Sequence, residues 1–284
     1  MNKYCIVSLL FFLQSLVSVN AGLITGFLES TEDSNKIYNL EIRTSSVDEL
    51  KVGEAYKFKV GLGDQTDHYL SREIEAAALF YNNQWHLEKI FPTEGIGAKA
   101  YYDSGEKFHR MVATMSRRHF VKEGEYVKPF AGINQDGEFF QIKEFLGKAY
   151  VINFIFTRCQ AAEMCPAATQ RMAYMQEKAE VSGLEDLHFL SVSFDPKNDS
   201  PGVLRQYAES YSIELDNFTF MTSKPEWIDD LMRYFGIIRL NEDGTINHTM
   251  ATLLIDQKGR VHFRKEGSTW RVDDFLEQAE ELLR

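Results

Sequence analysis

The sequence predicts an α/β fold: a sheet covered by helices on both faces fills the C-terminal half, and a small β-rich N-terminal domain precedes it. Three observations predict this. After residue 126, nearly continuous apolar runs such as Ala149-Tyr150-Val151-Ile152-Asn153-Phe154-Ile155-Phe156 suit strands buried on both faces. Between these runs lie helical patterns that open at or beside a proline, at Pro166, Pro201 and Pro225. Before residue 126, apolar residues alternate with polar ones, as in half-buried antiparallel strands. The length of 284 residues fits two domains of ~150 residues each.

The elements follow in order. Residues 1–21 read as a cleaved signal peptide: Met1-Asn2-Lys3 gives a positive start, residues 5–19 an apolar run, and Val19-Asn20-Ala21 small residues before Gly22. The run is shorter than the ~20 residues that cross a bilayer, so the expectation is export, to a periplasm or its equivalent, with no membrane span after cleavage. In residues 22–125, the segments 37–42 and 56–60 alternate, and 61–64 read as a turn. Asn82-Asn83 joins segments 76–81 and 85–91 as a hairpin. This region is expected to be a small, β-rich antiparallel domain, a sandwich or partial barrel without a catalytic signature, with a boundary at Glu123-Gly124-Glu125.

In residues 126–284, a hairpin spans 130–140 around Asp136-Gly137, followed by the buried strand 149–156. A helix opens at Pro166 and aligns Ala168, Met172, Met175 and Ala179 on one face. Then come a strand at 187–194, a helix from Ser200-Pro201 and a short strand at 218–221. Ser223-Lys224-Pro225-Glu226 fits a capping box for a helix running to about Phe235. A hairpin of 251–256 with 261–264 and an amphipathic helix at 272–283 close the chain.

The formal charge of −11, from 31 Lys+Arg against 42 Asp+Glu, excludes a nucleic-acid backbone binder, which needs a basic face. Loss of the leader removes Lys3 and Cys5, leaving two of the three cysteines. In an oxidising compartment those two require an explanation.

Both lie in Arg158-Cys159-Gln160-Ala161-Ala162-Glu163-Met164-Cys165-Pro166, between a buried strand and a helix start. The helix dipole and Arg158 are expected to favour the thiolate, the form that attacks disulfides and binds metals. An inert disulfide is the alternative, but closing so short a loop yields little stabilisation. His248, in the segment entering the strand 252–256, is expected to approach both sulfurs. Two thiolates and one imidazole form a soft donor set that suits copper. Met164 is a further soft donor beside them, more simply read as loop packing.

Residues 150–173, the stretch Ser193-Phe194-Asp195-Pro196-Lys197-Asn198-Asp199-Ser200-Pro201, and Asn247-His248 before Leu253-Leu254-Ile255-Asp256 together resemble the SCO/SenC family over residues 126–284. The resemblance implies a thioredoxin-like fold and one copper ion held by Cys159, Cys165 and His248. It also implies delivery of that copper to a respiratory oxidase copper centre. The implied partners are the copper subunit of cytochrome oxidase or its assembly factors, and a thiol reductant. Five residues separate the cysteines here, against three in the family pattern.

A second class of function uses the same cysteines without metal, as a thiol–disulfide oxidoreductase or a thiol peroxidase. Thr157 before Cys159 is similar to a peroxiredoxin arrangement, whereas Met250-Ala251 stands where thioredoxin-type enzymes place a proline. A third reading is an interaction module that retains an inactive site. His109, Met111, Met115 and His119 are weighed as a second copper site, Met111, Met115 and His119 being aligned if helical. Methionines at that spacing more often fill a core. Arg110, Arg117, Arg118 and Lys122 read as a solvated face. Asp195 and Asp199 are expected to form a turn and cap the helix after Ser200.

Overall fold

The computed structural model describes residues 21–116, 118–242 and 245–283, with the side chains of 239–242 and 245–248 excepted. The signal-peptide reading of residues 1–20 and the side chains of Arg117 and His248 lie outside the described residues.

Five strands form a closed barrel: β1 (Ala21–Glu32), β2 (Ile37–Ser45), β3 (Ala55–Val60), β4 (Glu73–Tyr81) and β5 (Gln84–Pro92), in the order β1-β2-β3-β5-β4. Four pairings are antiparallel, and the parallel β3–β5 pair closes the ring. The period-two pattern sends Ile24, Leu28, Leu40, Ile42, Phe58 and Ile74 into one interior. Asn82 and Asn83 both adopt positive φ, 52° and 59°, the geometry a two-residue hairpin loop demands.

The β-rich part also holds a helix that the reading of residues 22–125 does not place, α1 (Ala98–Thr114). Gly97, at φ 87°, turns the chain into this helix, which buries Tyr101, Gly105, Phe108 and Val112 as one stripe. A Cβ on Gly105 would lie 2.3 Å from the Trp227 ring, so the glycine is what admits that ring.

The second sheet comprises β6 (Ala131–Asn134), β7 (Phe139–Gln141), β8 (Ala149–Ile155), β9 (Leu187–Ser193), β10 (Phe218–Thr222), and β13 (Ala251–Ile255) with β14 (Val261–Glu266); β11 (Arg239–Glu242) and β12 (Thr245–His248) form a separate hairpin. Its order is β14-β13-β8-β9-β10-β6-β7, with β8, β9 and β10 parallel. All seven residues of β8 are buried, as its apolar run requires.

Four helices cover it: α2 (Cys165–Val181), α3 (Pro201–Ser210), α4 (Pro225–Phe235) and α5 (Val272–Leu283). α2 begins one residue before Pro166, so the proline stands within the first turn, where its missing N–H costs nothing. The capping box at Ser223 does not form, because Lys224 is the cap residue of α4. The Ser223 hydroxyl instead bonds Tyr101 Oη (3.1 Å) and the Ala131 carbonyl (3.4 Å), tying α4 to α1 and β6. T-shaped contacts of Phe108 with Tyr234 and of Phe130 with Phe235 extend that junction. No helix among the described residues is long and apolar enough to cross a membrane.

Candidate metal-binding thiol site

β8 delivers the chain to the end of the sheet, where Phe156 is still buried and Thr157-Arg158 turns outward. Cys159 donates its N–H to the Phe156 carbonyl (3.3 Å), and Met164 donates to Ala161 (2.9 Å), folding the segment 156–164 into two consecutive turns. Cys165 is then the first helical residue and is fully buried, whereas Cys159 is partly exposed. The loop is compact enough to bring the two thiols into hydrogen-bond contact as a reduced pair. The half-buried Met164 takes the cap position of α2.

The expected thiolate is not what the surroundings of Cys165 favour. The Cys159 sulfur and burial both push the Cys165 thiol well above its ordinary pKa, and a hydrogen bond with the Phe156 backbone offsets only part of this. Helix dipole and arginine therefore lose to burial and a sulfur neighbour. Two adjacent sulfurs are soft donors, of the kind that Cu(I) favours.

Asp199 and Asp195 do not cap α3; Ser200 stands at the cap position without a side-chain bond. Asp199, fully buried, accepts hydrogen bonds from Thr157 N–H (3.1 Å), Thr157 Oγ1 (2.6 Å) and Ser193 Oγ (2.5 Å). Burial raises its pKa, and those three bonds hold it down in part. Asp195 pairs with Arg158 (2.7 Å) and accepts two bonds from Asn198 Nδ2, at 2.9 and 3.0 Å. The expected turn does form, since Asn198 and Asp199 both donate to the Asp195 carbonyl. Sequence reasoning missed Thr157 and Ser193 as braces. The available signal was hydroxyls at the ends of two neighbouring buried strands with a carboxylate six residues after the second.

β13 runs antiparallel to β8, with Thr252 opposite Asn153 and Ile255 opposite Tyr150. The backbone entering β13 therefore reaches the end of the sheet from which the cysteine loop departs. His248 closes β12, three residues before β13, and its backbone pairs with Arg239.

The second candidate site is not assembled. α1 ends at Thr114 and Met115 is extended, so Met111, Met115 and His119 do not share a helix face. His109 Nδ1 lies 2.6 Å from Asp230, which raises the histidine's pKa, and Met111 and Met115 pack against the core. His119 lies beside Glu125 at 4.0 Å. Among the described residues no three His, Cys, Asp or Glu side chains converge as a metal site.

The family profile described as SCO1/SenC matches residues 121–283. A curated relative, the "SCO1 protein homolog" of Bacillus subtilis, is 31% identical over 139 residues, covering 48% of this chain and 70% of its own length. The crystal structure of a SCO1/SenC family lipoprotein from Bacillus anthracis is similar, with a TM-score of 0.52 and 29% identity, covering 58% of this chain and 100% of that one. A structure described as revealing a disulfide switch in BsSco, a member of the Sco family of cytochrome c oxidase assembly proteins, gives a TM-score of 0.51 and 27% identity, covering 58% and 99% of the two chains. The five-stranded barrel lies before the matched region. With its thioredoxin-like α/β sheet and its cysteine pair at the strand-to-helix junction, the chain belongs to the SCO1/SenC family.

Proposed function

We propose that this protein is an exported copper-binding metallochaperone whose cargo is one Cu(I) ion, held by Cys159, Cys165 and His248 and delivered to the copper centre of a respiratory oxidase. The carrying observation is the pair of adjacent reduced sulfurs on a loop braced by Asp199 and Asp195. On loading, Cu–S bonds replace the thiol protons, and on delivery ligand exchange passes the ion to donors of the oxidase copper subunit or an assembly factor. Family membership supports this, as does the naming of a similar protein as an oxidase assembly factor. Residues 126–284 carry the chemistry in this reading, while 22–125 form an accessory domain, and the compartment is the periplasm or an equivalent exported space.

A second reading rests on the same contact: two thiols already touching need only lose two electrons and two protons to a disulfide oxidant to join. A thiol reductant would reopen them, making the pair a redox switch.

Metal analysis of the anaerobically reduced protein separates the readings. The chaperone reading expects about one equivalent of Cu(I), in line with a soft donor set, with retention lost in Cys165→Ser and weakened in His248→Ala. Negligible binding, or binding indifferent to His248→Ala, defeats it. Thiol–disulfide or peroxide turnover that needs Cys159 but tolerates His248→Ala establishes the alternative.

A further inference from the structure

Between the barrel wall and the second sheet lies a cleft of about 480 Å³, within the usual size of small-ligand sites, which favour domain interfaces. Phe91, Tyr101, Tyr102 and Ile133 give it an apolar and largely aromatic lining. Lys89, Lys197 and Lys224 reach it from three separate segments, against a single acidic residue, Glu75. Three lysines thus line one cavity in a protein of formal charge −11. None of the three has an ion pair among the described residues, and Lys224 Nζ instead lies over the rings of Tyr102 (4.7 Å) and Trp227 (5.0 Å).

The backbone supplies a second, independent observation. Eight non-glycine residues of the described chain have positive φ; seven are Asp, Asn or Ser, and the eighth is Lys89, at 55°. It sits at a bulge where Lys89 and Ile90 together oppose Ala76, since Glu75 pairs with Phe91 and Ala77 with Glu88. The bulge lets Glu88 and Lys89 both face outward while Leu87 and Ile90 remain in the barrel core. A glycine would take this conformation without strain, and a lysine there costs about 1 kcal/mol. The strained position is one whose side chain lines the cleft.

We propose that this cleft is a binding site for a small organic anion with a flat apolar body, the chemistry of an aromatic carboxylate. The body lies among Phe91, Tyr101 and Tyr102, and the carboxylate accepts charge-assisted hydrogen bonds from the lysines. The site opens beside the thiol loop, because Pro196 and Lys197 in its wall directly follow Asp195, the partner of Arg158. It does not depend on the copper reading.

The test uses 2-naphthoate as probe on the full-length mature protein, followed by calorimetry and saturation-transfer NMR, with 2-naphthamide as the neutral isostere. Saturable one-to-one binding of naphthoate is expected. Lys89→Ala and Lys197→Ala should each weaken it by about tenfold, as loss of a charge-assisted bond implies, and naphthamide should bind at least about as weakly as naphthoate does to either variant. Ala77→Trp, which puts an indole into the cleft, should abolish binding while the circular-dichroism melt stays cooperative. Absence of saturable binding overturns the proposal. So does unchanged binding in the Lys89→Ala/Lys197→Ala double variant, equal binding of the amide, or indifference to Ala77→Trp.

Discussion

Asp199 fixes the geometry of the thiol loop from below, through three hydrogen bonds to two residues that belong to different strand ends. Asp199→Ala strands the Thr157 and Ser193 hydroxyls in a buried place, so a loss of about 2–4 kcal/mol is expected in urea unfolding. Cys159 should also become more reactive towards a disulfide reagent as the loop loosens, whereas Asp195→Ala, which breaks an ion pair to the exposed Arg158, should cost less. The raised pKa of Cys165 has its own consequence for metal loading. In the proposed chaperone the metal displaces a thiol proton held more tightly than usual, so Cu(I) affinity should climb by about tenfold per pH unit for each proton released. Competition with a Cu(I) chelator between about pH 6 and 8 measures it, and a flat profile would show the proton to be already lost. The cysteines and their neighbourhood were legible in the sequence because they are contiguous. The Asp199 brace was not, because its partner Thr157 lies 42 residues away and only strand pairing brings the two together.

At the level of elements, α1 illustrates the contest between intrinsic propensity and packing. Alanine is a better helix former than glycine by about 1 kcal/mol. A Cβ at position 105, however, would meet the buried Trp227 ring at 2.3 Å, and overpacking costs about 1–3 kcal/mol. Packing therefore wins, and Gly105→Ala should lower the thermal midpoint although it raises local helix propensity; an increase would mean that Trp227 moves aside freely. The same glycine hid the helix from sequence reading, since it interrupts the stripe of Tyr101, Phe108 and Val112. The parallel strands and the Asn-Asn hairpin were readable because their signals are local: burial on both faces in one case, positive φ in the other. The helix cap at Ser223 was misread because its hydroxyl had a better partner in Tyr101, 122 residues away.

The whole molecule is joined where the barrel meets α3. A short turn, Leu62–Asp64, presses against that helix so closely that a Cβ on Gly63 would lie 1.9 Å from the Gly202 carbonyl. Asp64 is sealed into this contact, one carboxylate oxygen lacking a hydrogen-bond partner, and burial raises its pKa from 3.8 to about 7 against the opposing pull of Arg205. The folded protein thus binds a proton that the unfolded chain releases near 3.8. This contribution to stability is complete below that value and is lost as pH rises through about 7. Asp64→Asn removes the titration, so the variant's thermal midpoint should gain on the wild type's as pH is raised from about 5 to 8. A constant difference across that range would show that Asp64 does not titrate there. By itself the sequence determined the α/β class, the β-rich first part, the family and the position of the thiol pair, because each is written in local periodicity or in contiguous residues. Only the tertiary structure decided the closed barrel, the helix packed on Trp227, the Asp199 brace, the suppressed acidity of Cys165 and the lysine-lined cleft. Each of these depends on groups far apart in the chain, whose protonation and conformation are set by what burial places beside them.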